Sequence, residues 1–421
     1  MELTFLWTAT NFPSVKIGDA LAMNTQPQII NSPTRKIRPN VVVIYHFYPH
    51  YRSAVVEALA RSEVADFTFV GDDHEYLHSI EPAILSDNVK FRLAPTHLIF
   101  KPFMWQWGAI KWAIKPEFDT VIMHAVPHWP CTWIGGILAR MMGKRVFFWG
   151  HGYLYEPKGF KGLIRRAFYA IPNAHMFYGR IAKVIAIKHG WAPNKLHVIY
   201  NSLNTAQQRK IRDESTKDQA LEVRRQIFGN DNPVAICTTR LIAIRRLDLL
   251  IDSIHTLKQS GHSVNLILVG DGPESERLKK QAQQLGVNVH FEGACYDERR
   301  IAQLVMASSV TVAPGKVGLT AMHSMVYGVP VVTHGDASDQ MPEWEAIIPD
   351  KTGSLFQSGN VQSLSDAILK WTQSQFPDSN TQKECHKIID RFWNPDFQRQ
   401  AIENAVLAMD ADDLRENRGH I

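Results

Sequence analysis

Residues 311–336 read TVAPGKVGLTAMHSMVYGVPVVTHGD, and this stretch decides the fold. Apolar Val310 and Val312 predict a buried strand, Gly315 and Gly318 a tight loop, 319–327 an apolar helix, and 331–333 a second strand. A strand that feeds a helix through a glycine loop aims free backbone N–H groups at whatever lies above the loop, usually a phosphate. Lys316 and His323 stand in that loop and helix, and "GVPVV" returns the chain to the sheet.

The same rhythm extends on the amino side of this unit. Strands are expected at PVAICTTRL (233–241), VNLILVGDGP (264–273) and VNVHFEG (287–293), each followed by an amphipathic helix. Further upstream it occupies NVVVIYHFYPHYR (40–52), DFTFVG (66–71), VKFRLA (89–94), DTVIMHA (119–125) and KRVFFWGHG (144–152). Strands alternating with helices predict parallel sheets covered on both faces, here an α/β protein of two doubly wound, Rossmann-like domains. Ligands of such sheets lie at the carboxyl ends of the strands, so the two domains should face one another across a cleft. The expected boundaries are an irregular extension at 1–39 (or sequence upstream of a start at Met23), a first domain at 40–205, a second at 206–375, and helices at 376–421 that cross back to the first. The polar stretch 204–225 is the expected junction. Neither sheet shows GxGxxG after its first strand, which argues against a dinucleotide cofactor.

The chain has 421 residues, 45% of them hydrophobic and 21% charged, the balance of an ordinary globular enzyme. Its four cysteines lie far apart without metal-ligand spacing and are expected to be reduced thiols. The net charge of +5 hides an asymmetry: residues 1–215 hold 25 Lys+Arg against 15 Asp+Glu, and residues 216–421 hold 21 against 26. A basic first half suits an anionic partner. No nucleic-acid motif is present, so lipid headgroups or a lipid-linked phosphate are the better candidates. No window is long and apolar enough to span a bilayer, and a signal peptide is not expected. EPKGFKGLIRRAFYAI (156–171) places Lys158, Lys161, Arg165 and Arg166 beside Phe160, Leu163, Ile164 and Phe168, a pattern for docking on an anionic membrane or for a solvated helix face. KPFMWQWGAIKW (101–112) holds three of the eleven tryptophans, as core or as an acceptor groove.

Arg240 ends a strand, and Arg245 and Arg246 follow in the same loop. Cations at a strand's carboxyl end suit a diphosphate. The loop Gly315–Lys316–Val317–Gly318 and the amides of Leu319 and Thr320 would meet the same phosphates. His151 ends the strand VFFWGHG, and His50 and Arg52 lie in the loop after the first strand.

The order of these segments resembles the retaining nucleotide-sugar glycosyltransferases of group 1, or family 4, which have the two-domain GT-B fold. TRLIAIRRLDLLIDSI, LILVGDGPESERLKKQAQQLGVNVHFEGA, APGKVGLTAMHSMVYGVPVVTH and EAIIPDKTGSLF carry the resemblance, with WGHG and HVIYNSLN in the first half. The resemblance implies that Arg240, and Arg245 or Arg246 in place of the usual lysine, hold the donor diphosphate with help from the amides of Leu319 and Thr320. It implies that His151 touches the donor sugar across the cleft and that Glu345, with Glu343 close by, stands near the sugar pocket. It places His50 and Arg52 on the acceptor side. The family usually presents two glutamates eight residues apart in the opening stretch, and here those positions are Gly315 and His323. His323 would then hydrogen-bond the ribose, and Lys316 would offset phosphate charge or select an anionic or unusual sugar.

The resemblance further implies transfer of a sugar from a nucleotide diphosphate to a glycan or lipid-linked acceptor with retention of anomeric configuration. It suggests a front-face path, the leaving phosphate accepting the acceptor's proton, in a cytoplasmic enzyme at or near the inner face of the membrane. No Asp-X-Asp ends a strand in the cleft, so no metal and no cofactor beyond the sugar nucleotide are expected. Two alternatives stay open: a nucleotide-sugar epimerase on the same architecture, and a catalytically silent glycan- or partner-binding relative.

Overall fold

The computed structural model describes residues 38–74, 80–153 and 159–416. The expected N-terminal extension, but for its last two residues, and Lys158 lie outside them. The first domain contains β1 (Asn40–Phe47), β2 (Asp66–Asp72), β3 (Phe91–Leu93), β4 (Thr96–Phe100), β5 (Phe103–Gln106), β6 (Thr120–His124), β7 (Arg145–Gly150), β8 (Ala174–Phe177) and β9 (Leu196–Val198). Seven of these form a parallel sheet in the order β3-β2-β1-β6-β7-β8-β9, and β4 and β5 pair as an antiparallel hairpin. Its helices are α1 (Ser53–Ala60), α2 (Ala109–Ile114), α3 (Pro130–Met141), α4 (Gly159–Tyr169) and α5 (Arg180–Lys188).

Helices α6 (Thr205–Glu214) and α7 (Lys217–Phe228) lead to the second domain. There β10 (Val234–Thr238), β11 (Asn265–Val269), β12 (Val289–Gly293), β13 (Val310–Ala313), β14 (Val331–His334) and β15 (Gly353–Phe356) make a parallel sheet ordered β12-β11-β10-β13-β14-β15. Between them run α8 (Leu247–Gln259), α9 (Ser275–Leu285), α10 (Glu298–Met306) and α11 (Thr320–Val326). The chain closes with α12 (Val361–Thr372), α13 (Ser379–Phe392) and α14 (Pro395–Glu416).

Both sheets are buried on both faces, which is why their strands read as unbroken apolar runs. In β1, Val42 and Ile44 enter one core while Val41 and Val43 enter the core on the opposite face. In both sheets the strand order reverses once, between β1 and β6 and between β10 and β13. Loops leaving the carboxyl ends of those strand pairs diverge to opposite faces and open a crevice.

The stretch 204–225, expected as a polar junction, is helical. Asn204 caps α6, and Thr216 and Gln219 close a reciprocal capping box on α7. Caps satisfy the free amides of a helix start, so two helices with few apolar residues persist where hydropathy alone reads as linker. Helix α14 places Ile402, Ala405 and Val406 in the core of the first domain. Arg145 donates to the carbonyl of Val406 at 2.8 Å, and Gln398 bridges Ser202 and the carbonyl of Tyr200 at 2.7 Å each.

Candidate active site

The crevice between β10 and β13 holds a pocket lined by Thr238, Thr239 and Arg245 on one side and by Gly315, Lys316, Gly318, Leu319 and Thr320 on the other. The hydroxyls of Thr238 and Thr320 hydrogen-bond across its floor. Arg245 donates through Nη1 to the carbonyl of Lys316 at 2.7 Å, which ties the two loops together. Its Nε is buried and has no hydrogen-bond partner among the described residues. Gln340 fixes the loop from behind, accepting from the amide of Val317 at 2.8 Å while donating to Thr333 and the carbonyl of His334.

The two glycines differ in what they do. A Cβ on Gly315 would collide with the carbonyl oxygen of Ile244 and lie 3.1 Å from Cα of Arg245. Gly315 is therefore demanded by backbone packing. A Cβ on Gly318 would meet no protein atom, so the open space beside it is room for a ligand. The amides of Leu319 and Thr320, at the start of α11, have no acceptor within the helix, whereas that of Ala321 donates to the carbonyl of Gly318 at 3.0 Å.

Lys316 lines the pocket, but its ammonium pairs with Asp339 at 2.6 Å. Arg240 is exposed and is not among the pocket-lining residues. Arg246, exposed and in the left-handed backbone region at φ 52°, pairs with Asp248 at 3.3 Å. His323 gives its Nε2 to Glu298 of α10 at 2.8 Å, and Tyr327 and Gln208 bond to the same oxygen. Burial raises the pKa of Glu298, but these bonds outweigh it and hold the carboxyl below its ordinary value.

A second pocket lies between the domains. His151, Tyr153, Gly179 and Ile181 line it from the first, and Gln340, Pro342, Trp344 and Glu345 from the second. Both oxygens of Glu345 accept amides at the start of α5, from Arg180 and Ile181 at 2.8 Å each. The second domain thus supplies the cap of a first-domain helix, and Gly179 leaves the carboxylate its space. Neighbouring Glu343 is fully buried and accepts from Asn201 at 2.9 Å.

Burial pushes Glu345 up to about 7, against the opposing pull of the two amides and Arg180. A carboxyl whose folded pKa exceeds its unfolded value contributes stability that is full below about pH 4.5 and is lost as pH rises through about 7. We expect the melting temperature of wild type relative to Glu345→Gln to fall across that window and to be flat outside it. A constant difference from acid to neutral pH would refute this.

On the first sheet, His46, His124 and His151 stand at the carboxyl ends of the neighbouring strands β1, β6 and β7. His151 is pushed down to about 4 by burial and by the charge of Arg52, so it is neutral at pH 7. Its Nδ1 has no hydrogen-bond partner among the described residues. Arg52 is buried among the rings of Tyr45, Trp149 and Tyr178 and donates to the hydroxyl of Tyr178. His50, on the same loop, meets the ring of Tyr296 from the second domain at 6.2 Å.

Sequence reasoning did not single out Gln340, Glu298, Tyr178 or Asn201. Glu298, Tyr178 and Asn201 act through partners remote in sequence, and Asn201, though it lies within HVIYNSLN, shows its partner Glu343 only in the fold. Among the described residues no group of three or more His, Cys, Asp or Glu is placed to hold a metal ion.

Two doubly wound domains, with a loop pocket at the switch point of the second and a further pocket between them, define the GT-B architecture. Anabaena Alr3699/HepE in complex with UDP superposes with a TM-score of 0.65 over 88% of this chain and 100% of that one, at 15% identity. Residues 218–391 match the family Glycosyl transferases group 1. The chain is 29% identical over 157 residues to the GDP-mannose-dependent alpha-(1-6)-phosphatidylinositol monomannoside mannosyltransferase of Mycolicibacterium smegmatis. It is 32% identical over 96 residues to the corresponding dimannoside mannosyltransferase of Mycobacterium tuberculosis. These matches cover 34% and 22% of this chain, and 40% and 25% of the relatives' own length.

Proposed function

We propose that the protein transfers a sugar from a nucleotide diphosphate sugar to a glycan or lipid-linked acceptor, with retention, in cell-envelope saccharide synthesis. The observation that carries this reading is the convergence of Arg245 with the loop of Gly315–Thr320 in one pocket at the switch point of the second sheet. A guanidinium and preorganised amides in a half-enclosed site stabilise the charge that builds on a departing diphosphate. Arg240 and Arg246, exposed at the rim, would guide the donor in. Neutral His151 would hydrogen-bond a sugar hydroxyl from the facing domain, with Glu345 fixing the distance between the two. His323, held by Glu298 at Nε2, would keep Nδ1 for the ribose. His50 and Arg52 would form the acceptor side. Retention by a front-face path comes from the family resemblance, and no carboxylate stands where a nucleophile would be needed in the loop.

The relatives are named for GDP-mannose and the Anabaena structure holds UDP, so both nucleotides are the first to test. We expect GDP or UDP at about 100 times its Kd to stabilise the protein by about 2.7 kcal/mol, and transfer from the matching sugar nucleotide to persist in excess EDTA. No shift with any nucleoside diphosphate would overturn the enzyme reading. Loss of transfer in EDTA, restored by a divalent ion, would overturn the metal-independent route. The site of action would be cytoplasmic, at a membrane surface. Among the described residues no helix is long and apolar enough to cross a membrane.

A further inference from the structure

Arg52 stands where packing alone would not put a charge. It closes the turn His50–Arg52 between β1 and α1 and is 8% exposed. The guanidinium lies 5.1 Å from the ring centres of Tyr45 and Tyr178 and 5.4 Å from that of Trp149, all three buried. Nη2 donates to the hydroxyl of Tyr178, Nη1 is buried without a hydrogen-bond partner, and among the described residues no carboxylate pairs with the group. Ring faces attract a cation, but an ion withdrawn from water with one hydrogen bond and no countercharge still costs stability. Proteins keep such local costs where function requires them.

The side chain that Arg52 holds leads to both walls of the cleft. Tyr178 shares a second hydrogen bond with Tyr45, hydroxyl to hydroxyl at 2.7 Å, so its ring is fixed at the far end. The ring of His151 packs on that of Tyr178 at 5.0 Å, and the ring of His124 stacks on Tyr45 at 4.0 Å. Directly after Tyr178 comes Gly179, which leaves Glu345 of the second domain its space, and then Arg180 and Ile181, whose amides Glu345 caps. One buried cation therefore anchors both the ring on which His151 rests and the end of β8 on which the opposite domain docks.

The charge acts on the same neighbours. Burial lowers the pKa of His151 and His124, and the Arg52 charge adds to it. Burial raises the pKa of Glu343, and the same charge opposes it. Arg52 thus belongs to the acceptor side as the support of its wall.

We propose that Arg52 is a positioning residue: through Tyr178 it fixes the ring of His151 at the cleft wall and the segment 178–181 that receives Glu345. The consequence for turnover rests on the proposed function, whereas the anchoring itself does not.

The test is a double-mutant cycle of Arg52→Met with His151→Ala in the full chain, read as hydrolysis of GDP-mannose or UDP-glucose, whichever the wild type turns over faster. We expect Arg52→Met to lower kcat about tenfold or more in the wild-type background and less than about twofold in His151→Ala, because groups acting as a unit are not additive. Arg52→Lys should recover part of the rate, since it returns a cation and a donor without the planar stack. The melting temperature of Arg52→Met should equal or exceed that of wild type, because an apolar side chain relieves an uncompensated buried charge. Amide exchange over 178–181 should nevertheless quicken about tenfold, as a local loosening does.

Equal losses of rate in both backgrounds, a lowered melting temperature, or unchanged exchange over 178–181 would overturn the proposal. Absence of turnover with either sugar nucleotide in the wild type would count against the proposed function, and the exchange and melting measurements would then decide the anchoring without it.

Discussion

Arg245→Gln is expected to lower turnover by about 10²–10³ while shifting the melting temperature little. The guanidinium has one buried nitrogen committed to the loop, through Nη1 to the carbonyl of Lys316, and another, Nε, with no partner among the described residues. The first bond has a charged donor, so its loss costs about 1.5–3 kcal/mol of stability, a small part of what holds a chain of 421 residues. The charge is what a diphosphate leaving group requires, and glutamine removes it while keeping a donor. Arg245→Lys, which keeps the positive charge, should recover most of the lost rate. The pair of variants separates charge from loop positioning: if both fall equally, Arg245 serves the loop and not the phosphate. Wild-type turnover in Arg245→Gln would remove this residue from the chemistry altogether.

Gly315→Glu is expected to damage the protein, although it restores a carboxylate that the family usually carries. Gly315 lies against the backbone of Ile244 and Arg245, and its amide donates to the carbonyl of Arg245 at 3.2 Å. Any Cβ forces the two loops apart, and overpacking of this kind costs about 1–3 kcal/mol, occasionally more. Because one of the displaced loops holds Arg245 and the other the amides of Leu319 and Thr320, nucleotide affinity should fall with stability. Gly315→Ala should show most of the same loss, since the collision is with Cβ and not with the carboxylate. A glutamate variant with the wild-type melting temperature and unchanged nucleotide affinity would show that the loop can open at no cost.

The opening stretch carried much of what could be read without coordinates. Its strand, loop, helix and second strand are all present as β13, α11 and β14. Hydrophobic periodicity and glycine placement are local, and a parallel sheet buried on both faces leaves the plainest record of them. Helices α6 and α7 were not legible because capping side chains, and not an apolar stripe, mark their starts. The hairpin of β4 and β5 was hidden for another reason. Its aromatic residues read as core, while Phe100 at its turn and Trp107 just beyond it are exposed.

Residue type and order, then, determined two doubly wound domains, a cationic first half and a glycine loop suited to phosphate. Only the tertiary structure decided that Arg245 shares a pocket with that loop while Arg240 stands exposed, that Glu298 holds His323, and that Glu345 caps a helix of the opposite domain. The physical reason is one of range. Backbone preference and apolar burial act between near neighbours in the chain, whereas hydrogen bonds and charge pairs act across a few ångströms of space. Their partners here lie up to 261 residues apart in sequence.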